Sequence, residues 1–132
     1  MTEIRLEHVS YAYGQERILE DINLQVTSGE VVSILGPSGV GKTTLFNLIA
    51  GILEVQSGRI VLDGEENPKG RVSYMLQKDL LLEHKTVLGN IILPLLIQKV
   101  DKAEAIARAD DILATFQLTA VRDKYPHELS GG

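Results

Sequence analysis

Residues 36–43 read Gly36-Pro37-Ser38-Gly39-Val40-Gly41-Lys42-Thr43 and fit G-x-x-x-x-G-K-[ST], the Walker A pattern of a phosphate-binding loop. The flanks have the form this chemistry requires. Val31-Val32-Ser33-Ile34-Leu35 is expected to be the strand leading in, and Thr44-Leu45-Phe46-Asn47-Leu48-Ile49-Ala50 the helix leading out. Backbone N–H groups of such a turn point into one concavity and cradle anionic oxygens. The helix start adds unpaired amides and its positive dipole end. Gly36, Gly39 and Gly41 allow backbone angles and close phosphate approach that a Cβ would block. Lys42 supplies a compact charge for the β- and γ-phosphates, and Thr43 a hydroxyl for Mg²⁺. Pro37, Ser38, Val40 and Thr44 complete the stretch expected to surround a bound nucleotide.

Bulk composition narrows the partners. The 132 residues carry a formal net charge of −5, with 44% hydrophobic and 23% charged residues, an ordinary globular balance. An acidic chain is a poor electrostatic partner for nucleic acid. No cysteine is present, so disulfides and thiolate metal sites are excluded. The N-terminal residues Met1-Thr2-Glu3-Ile4-Arg5 lack the pattern of a signal peptide. The longest apolar stretch, Ile91 to Ile97, is far below the ~20 residues of a membrane span. Any membrane role is therefore expected to pass through a partner.

Along the chain, Ile4 to Val9 and Ile22 to Val26 alternate as half-buried strands. Gly51 reads as the cap of the helix after the loop. Arg59 to Leu62 reads as a strand ending at the turn Asp63-Gly64, and Arg71 to Leu76 as a further strand ending at Gln77. From Thr86, a candidate N-cap, the pattern turns helical, and Pro94 is expected to kink or end that helix. A second helix is read from about Asp101 to Gln117, with Ile106, Ala109, Ile112, Leu113 and Phe116 on one face. His8, His84 and His127 show no metal-ligand spacing, and Glu65-Glu66 and Asp110-Asp111 read as solvated charge.

The chain closes on Leu129-Ser130-Gly131-Gly132, preceded by Lys124-Tyr125-Pro126-His127-Glu128, and Gln77 follows Tyr74-Met75-Leu76. A Ser-Gly-Gly turn alone is common. With the phosphate loop and Gln77 in this order, the whole chain closely resembles the nucleotide-binding subunit of ATP-binding-cassette (ABC) transporters. The resemblance implies an α/β fold: a P-loop NTPase (RecA-like) core with an antiparallel β subdomain over 1–85, and a helical subdomain over 86–132 ending at the signature motif.

By position, Tyr13 matches the family's adenine-stacking aromatic, a task that suits any ring because every base offers a π-face. Gln77 matches the glutamine that ligates Mg²⁺ and senses the γ-phosphate, and is grouped with Lys42 as catalytic. Ser130, Gly131 and Gly132 match the signature that binds the γ-phosphate held by the opposite subunit. ATP and Mg²⁺ are thus the implied cofactors, held in a homodimer whose closure depends on the γ-phosphate. The segment from about Lys78 to Gln98 corresponds to the face touching separate transmembrane permease subunits, at the cytoplasmic face of the membrane. The wording Tyr74 to Leu82 is similar to importers of the nitrate, sulfonate, taurine or pyrimidine-precursor group.

The family's catalytic carboxylates and switch histidine lie beyond the signature motif. None of Asp63, Asp79 or Glu83 follows a suitable apolar strand to replace them. The expectation is therefore a truncated form of a chain of about 250 residues. Such a fragment is expected to bind nucleotide weakly and to hydrolyse it poorly, since water needs a positioned base or carboxylate to attack. The alternatives are a soluble ABC-type ATPase clamp and a nucleotide-binding module without turnover.

Overall fold

Two long strands, β1 (Glu3–Tyr13) and β2 (Glu16–Thr27), form an antiparallel hairpin turned at Gly14-Gln15. The computed structural model describes residues 2–130, which divide into two units: one reaches to Met75 and the other starts at Leu76. In the first unit, β3 (Ser57–Leu62) pairs with the other side of β1, and β4 (Glu65–Glu66) closes the sheet order β2-β1-β3-β4. The β3–β4 turn has positive φ at both Asp63 (52°) and Gly64 (83°). That is the primed geometry whose twist matches the flanking strands.

Helix α1 (Lys42–Ile49) packs Leu45 and Leu48 against Leu6, Val9, Leu19 and Ile60 of the sheet. Burying a leucine as fully as Leu48 contributes about 1.5–3 kcal/mol. Gly51 ends α1 as expected. At φ 70° its N–H donates to the Leu48 carbonyl (3.1 Å), and the Ile52 N–H donates to that of Asn47 (2.9 Å). This pair of bonds is a Schellman cap.

Two expected strands are absent. Residues 31–35 and 71–76 form no ladder, and Val31 and Leu35 are 94% and 91% exposed. A strand needs a neighbour to complete its hydrogen bonds, and among the described residues none pairs with either run. Apolar, β-branched composition alone does not supply that partner.

The second unit is helical. Thr86 caps α2 (Val87–Ile97), its hydroxyl accepting from the Gly89 N–H at 3.1 Å. The Val87 and Leu88 amides donate to the carbonyls of Lys124 (2.8 Å) and Arg122 (2.9 Å), which satisfies the rest of the first turn. Gly89 is explained by the same cap: a Cβ there would lie 3.3 Å from Lys85 Cβ and 3.4 Å from Thr86 Oγ1. Of the two outcomes expected at Pro94, an end is ruled out: α2 runs three residues beyond it, the ring costing one ladder bond while its fixed φ suits a helix.

Asp101 caps α3 (Lys102–Thr115) through the Ala103 and Glu104 amides. Its buried stripe is Ala105, Ala109 and Leu113, with Ile106 packed beside it; Ile112 and Phe116 are 50% and 69% exposed. The small alanines admit α2 closely, so the seam is narrower than the sequence pattern implied. Among the described residues no helix is long and apolar enough to cross a membrane.

Two glycines separate strain from crowding. Gly64→Ala, with φ 83° but open space around it, is expected to cost about 1–2 kcal/mol in urea unfolding. Gly58→Ala should cost clearly more, since its Cβ would fall 2.2 Å from the His8 carbonyl oxygen and force β1 to move. In the helical unit, the hydrogen bond from Arg122 holds the Asp110 carboxyl below its usual range. That contribution is complete above about pH 4 and is lost as pH falls through the lowered native value, so Asp110→Asn should flatten the acid side of the unit's pH–stability curve.

Candidate functional site

The helix that follows the glycine-rich loop begins differently from the other two. Gly41 stands at its N-cap position with φ 104° and ψ 8°, no side chain caps it, and no acidic residue lies in its first turn. In α2 and α3, Thr86 and Asp101 fill those positions with side-chain oxygens. The start of α1 thus presents free N–H donors and an uncompensated positive dipole end, which suits an anion.

Lys42 adds charge at the same place. Its Nζ donates to the carbonyls of Gly36 (2.5 Å) and Pro37 (2.6 Å), closing the loop from within. Among the described residues it has no carboxylate partner; each ion pair of the sheet unit involves Arg5, His8, Arg17, Arg59 or Arg71 instead. An ammonium bonded only to neutral carbonyls keeps its full charge for a ligand. The loop is shaped by its own glycines. A Cβ on Gly36 would lie 2.9 Å from Val40 Cγ1, whereas Gly39, at φ 82°, faces open space.

Gly41 is pinned from the sheet side. A Cβ there would meet Ile18 Cγ2 at 2.9 Å, Leu19 Cδ2 at 3.0 Å and the Ile18 carbonyl oxygen at 3.1 Å. The tip of the β1–β2 hairpin therefore rests on the loop at the helix start. Tyr13 sits at that tip, 49% exposed, its ring edge-on to Tyr11 with centroids 5.0 Å apart. Tyr11 packs against the core, which leaves Tyr13 backed on one side and open on the other.

The remaining candidates are placed as follows. Pro37, Ser38 and Val40 lie exposed on the loop, Thr43 is exposed in the first helical turn, and Thr44 is buried beneath it. Gln77 and Ser130 belong to the second unit, each exposed and outside any helix or strand. Gly131 and Gly132 lie outside the described residues. Asp63 is committed to structure, accepting the Glu3 N–H at 2.8 Å and pairing with Arg71. The contact of Ile18 and Leu19 with Gly41 was not read from the sequence, which offers no local signal for it.

The donor set fits a nucleotide and its metal. Amides and the Lys42 ammonium suit phosphate oxygens, and the exposed Thr43 hydroxyl is a hard oxygen donor of the kind Mg²⁺ accepts while keeping waters and phosphate oxygens as its other ligands.

Residues 19–132 match the family described as ABC transporter. The chain is 40% identical to the spermidine/putrescine import ATP-binding protein PotA of Aggregatibacter actinomycetemcomitans, over 98% of this chain and 36% of that protein. It is 38% identical to the sulfate/thiosulfate import ATP-binding protein CysA of Thermosynechococcus vestitus, over 98% of this chain and 40% of that protein. It thus spans well under half the length of both relatives.

Among solved structures, MJ1267, an ATP-binding cassette of an ABC transporter, superposes with a TM-score of 0.84 at 27% identity, over 99% of this chain and 60% of that one. The cassette MJ0796, solved as a post-hydrolysis dimer with ADP and Pi, gives 0.77 at 28% identity, over 97% and 63%. The fold is accordingly that of ABC ATPase cassettes, an α/β P-loop NTPase.

Removing the internal tie should loosen the loop selectively. Lys42→Ala is expected to speed amide hydrogen exchange at 36–41 about tenfold while the β1–β3 ladder keeps its protection. Unchanged exchange in the loop would show that the lysine does not hold it.

Proposed function

The chain belongs to the ABC transporter family, among its ATP-binding proteins, and from that premise we propose that residues 36–44 and Tyr13 bind MgATP to drive solute import. One observation carries the reading: among the described residues, a helix start left without a side-chain cap, beside a lysine without a carboxylate partner. Binding needs little rearrangement. The loop amides and the first turn of α1 take the phosphate oxygens, and Lys42 exchanges the Gly36 and Pro37 carbonyls for the β- and γ-phosphates. Phosphate is the stronger partner, since opposite charges attract in addition to the hydrogen bond, which a neutral carbonyl cannot match. Tyr13, half exposed and braced by Tyr11, supplies a ring face for the base. Thr43 offers its hydroxyl to Mg²⁺, which when bound neutralises charge on the transferring phosphoryl group. Gln77, as a second oxygen donor toward the metal, and Ser130, Gly131 and Gly132, as contacts to the γ-phosphate of a second copy, are assigned from their motifs.

For the whole protein we propose hydrolysis of ATP held between two copies. Closure would depend on the γ-phosphate and be released by its loss, with membrane-spanning partner subunits coupling that cycle to transport at the cytoplasmic face. The named relatives, each an import ATP-binding protein, support import.

Isothermal titration with MgATP tests the loop assignment. Lys42→Ala should weaken binding by about 10- to 100-fold, the loss of one to two charge-assisted hydrogen bonds. Unchanged affinity in that variant would overturn the assignment.

A further inference from the structure

The hairpin that carries Tyr13 is bent by irregularities that the nucleotide reading does not use. Between Leu6 and Val9 the register of β1 against β2 gains a residue on β1, and between Val9 and Tyr11 it gains one on β2. The β1–β3 ladder shows the same extra residue between Glu7 and Ser10. These are facing bulges on adjacent strands. Each holds a non-glycine residue in the left-handed region, His8 at φ 52° and Asp21 at φ 49°. Such angles are sparsely populated by non-glycine residues and persist only where surroundings fix them.

Side chains do the fixing here. Asn23 Oδ1 accepts the His8 N–H at 2.9 Å, while Asn23 Nδ2 donates to the Asp21 carbonyl at 2.9 Å. Ser10 Oγ accepts the Asp21 N–H at 2.9 Å, and His8 Nδ1 lies 2.6 Å from Asp21 Oδ1. The His8 ring, then the Asn23 amide, hold the Asp21 carboxyl below its usual range, so it stays ionised as an acceptor. Behind the bulge, Gly58 of β3 lets the His8 carbonyl approach to where a Cβ would stand.

Beyond the clasp the hairpin continues as an arm. Its outer end is held by Gln56, whose amide both accepts from Ala12 N (2.9 Å) and donates to Ala12 O (3.0 Å). A third register shift, between Tyr11 and Ala12, puts the extra residue on β2 at Ile18, and Ile18 is the residue pressed on Gly41. The clasp is thus the bend from which one arm reaches Tyr13 and the phosphate loop together. Bulges next to functional sites commonly re-aim a side chain.

Resting on the nucleotide reading above, we propose that His8, Ser10, Asp21 and Asn23 form a positioning device that aims the 10–20 arm, so that Tyr13 meets the base of a nucleotide whose phosphates lie on the loop beside Gly41. None of the four touches the nucleotide. They act through Tyr13, and their effect falls on base recognition rather than on phosphate binding.

The test compares MgATP with inorganic tripolyphosphate plus Mg²⁺, titrated into the 132-residue chain. Asn23→Ala is expected to weaken ATP about fivefold or more, within what one stacked base contributes, and to change tripolyphosphate by less than about twofold. In a Tyr13→Ala background, Asn23→Ala should weaken ATP no further. Ser10→Ala, which removes only the Asp21 N–H acceptor, should move the ATP-to-tripolyphosphate ratio in the same direction and covers the case in which Asn23→Ala unfolds. Equal losses for both ligands, or an unchanged ratio in both variants, would overturn the positioning role while leaving nucleotide binding intact. If the unsubstituted chain bound neither ligand, the nucleotide reading would fall and this proposal with it.

Discussion

Among the described residues no side chain caps the first turn of α1, and Gly41 makes that possible by turning the chain at φ 104° where a capping side chain would otherwise stand. Unpaired donors at a helix start need water or a ligand, and here the dipole, the glycine loop and Lys42 all favour an anion. The rest of the first unit braces this open end. Leu45 and Leu48 fasten α1 to the sheet, the Schellman cap at Gly51 closes its far end, and Ile18 and Leu19 press on Gly41 from the hairpin. An alanine at 41 would be opposed both by its backbone angle and by these contacts.

A consequence of that bracing is that phosphate and base recognition share one support. The strand that touches the loop belongs to the hairpin whose turn carries Tyr13. Its bends lie at three register shifts, two of them held by short polar side chains rather than by ladder bonds. Regular pairing through His8 and Asp21 would remove the bend that directs the arm. The strained angles at those residues are therefore consistent with a geometry kept for its use.

Much of this was legible in the sequence because it is local. The glycine-rich loop ahead of α1, Thr86 as an N-cap, Gly51 at a helix end and Asp63-Gly64 as a turn each depend on a few adjacent residues, and each stands where the pattern put it. The misses are non-local. Val31 to Leu35 has strand composition, but a strand is a property of two chains side by side, and the described residues supply no second one. Ile112 and Phe116 fit the helical period, yet the alanines at 105 and 109 decide where α2 approaches. His8 and Asp21 gave no warning of left-handed angles, since their bonds come from Asn23 and Ser10 across the hairpin.

The most direct measurement of the central claim is an amide NMR titration of the unsubstituted chain with MgATP. The account predicts saturable shifts concentrated at Gly36 to Thr44, with smaller ones at Tyr13, Ile18 and Leu19 and none in α3. Absence of saturable shifts, or shifts centred away from the start of α1, would contradict it.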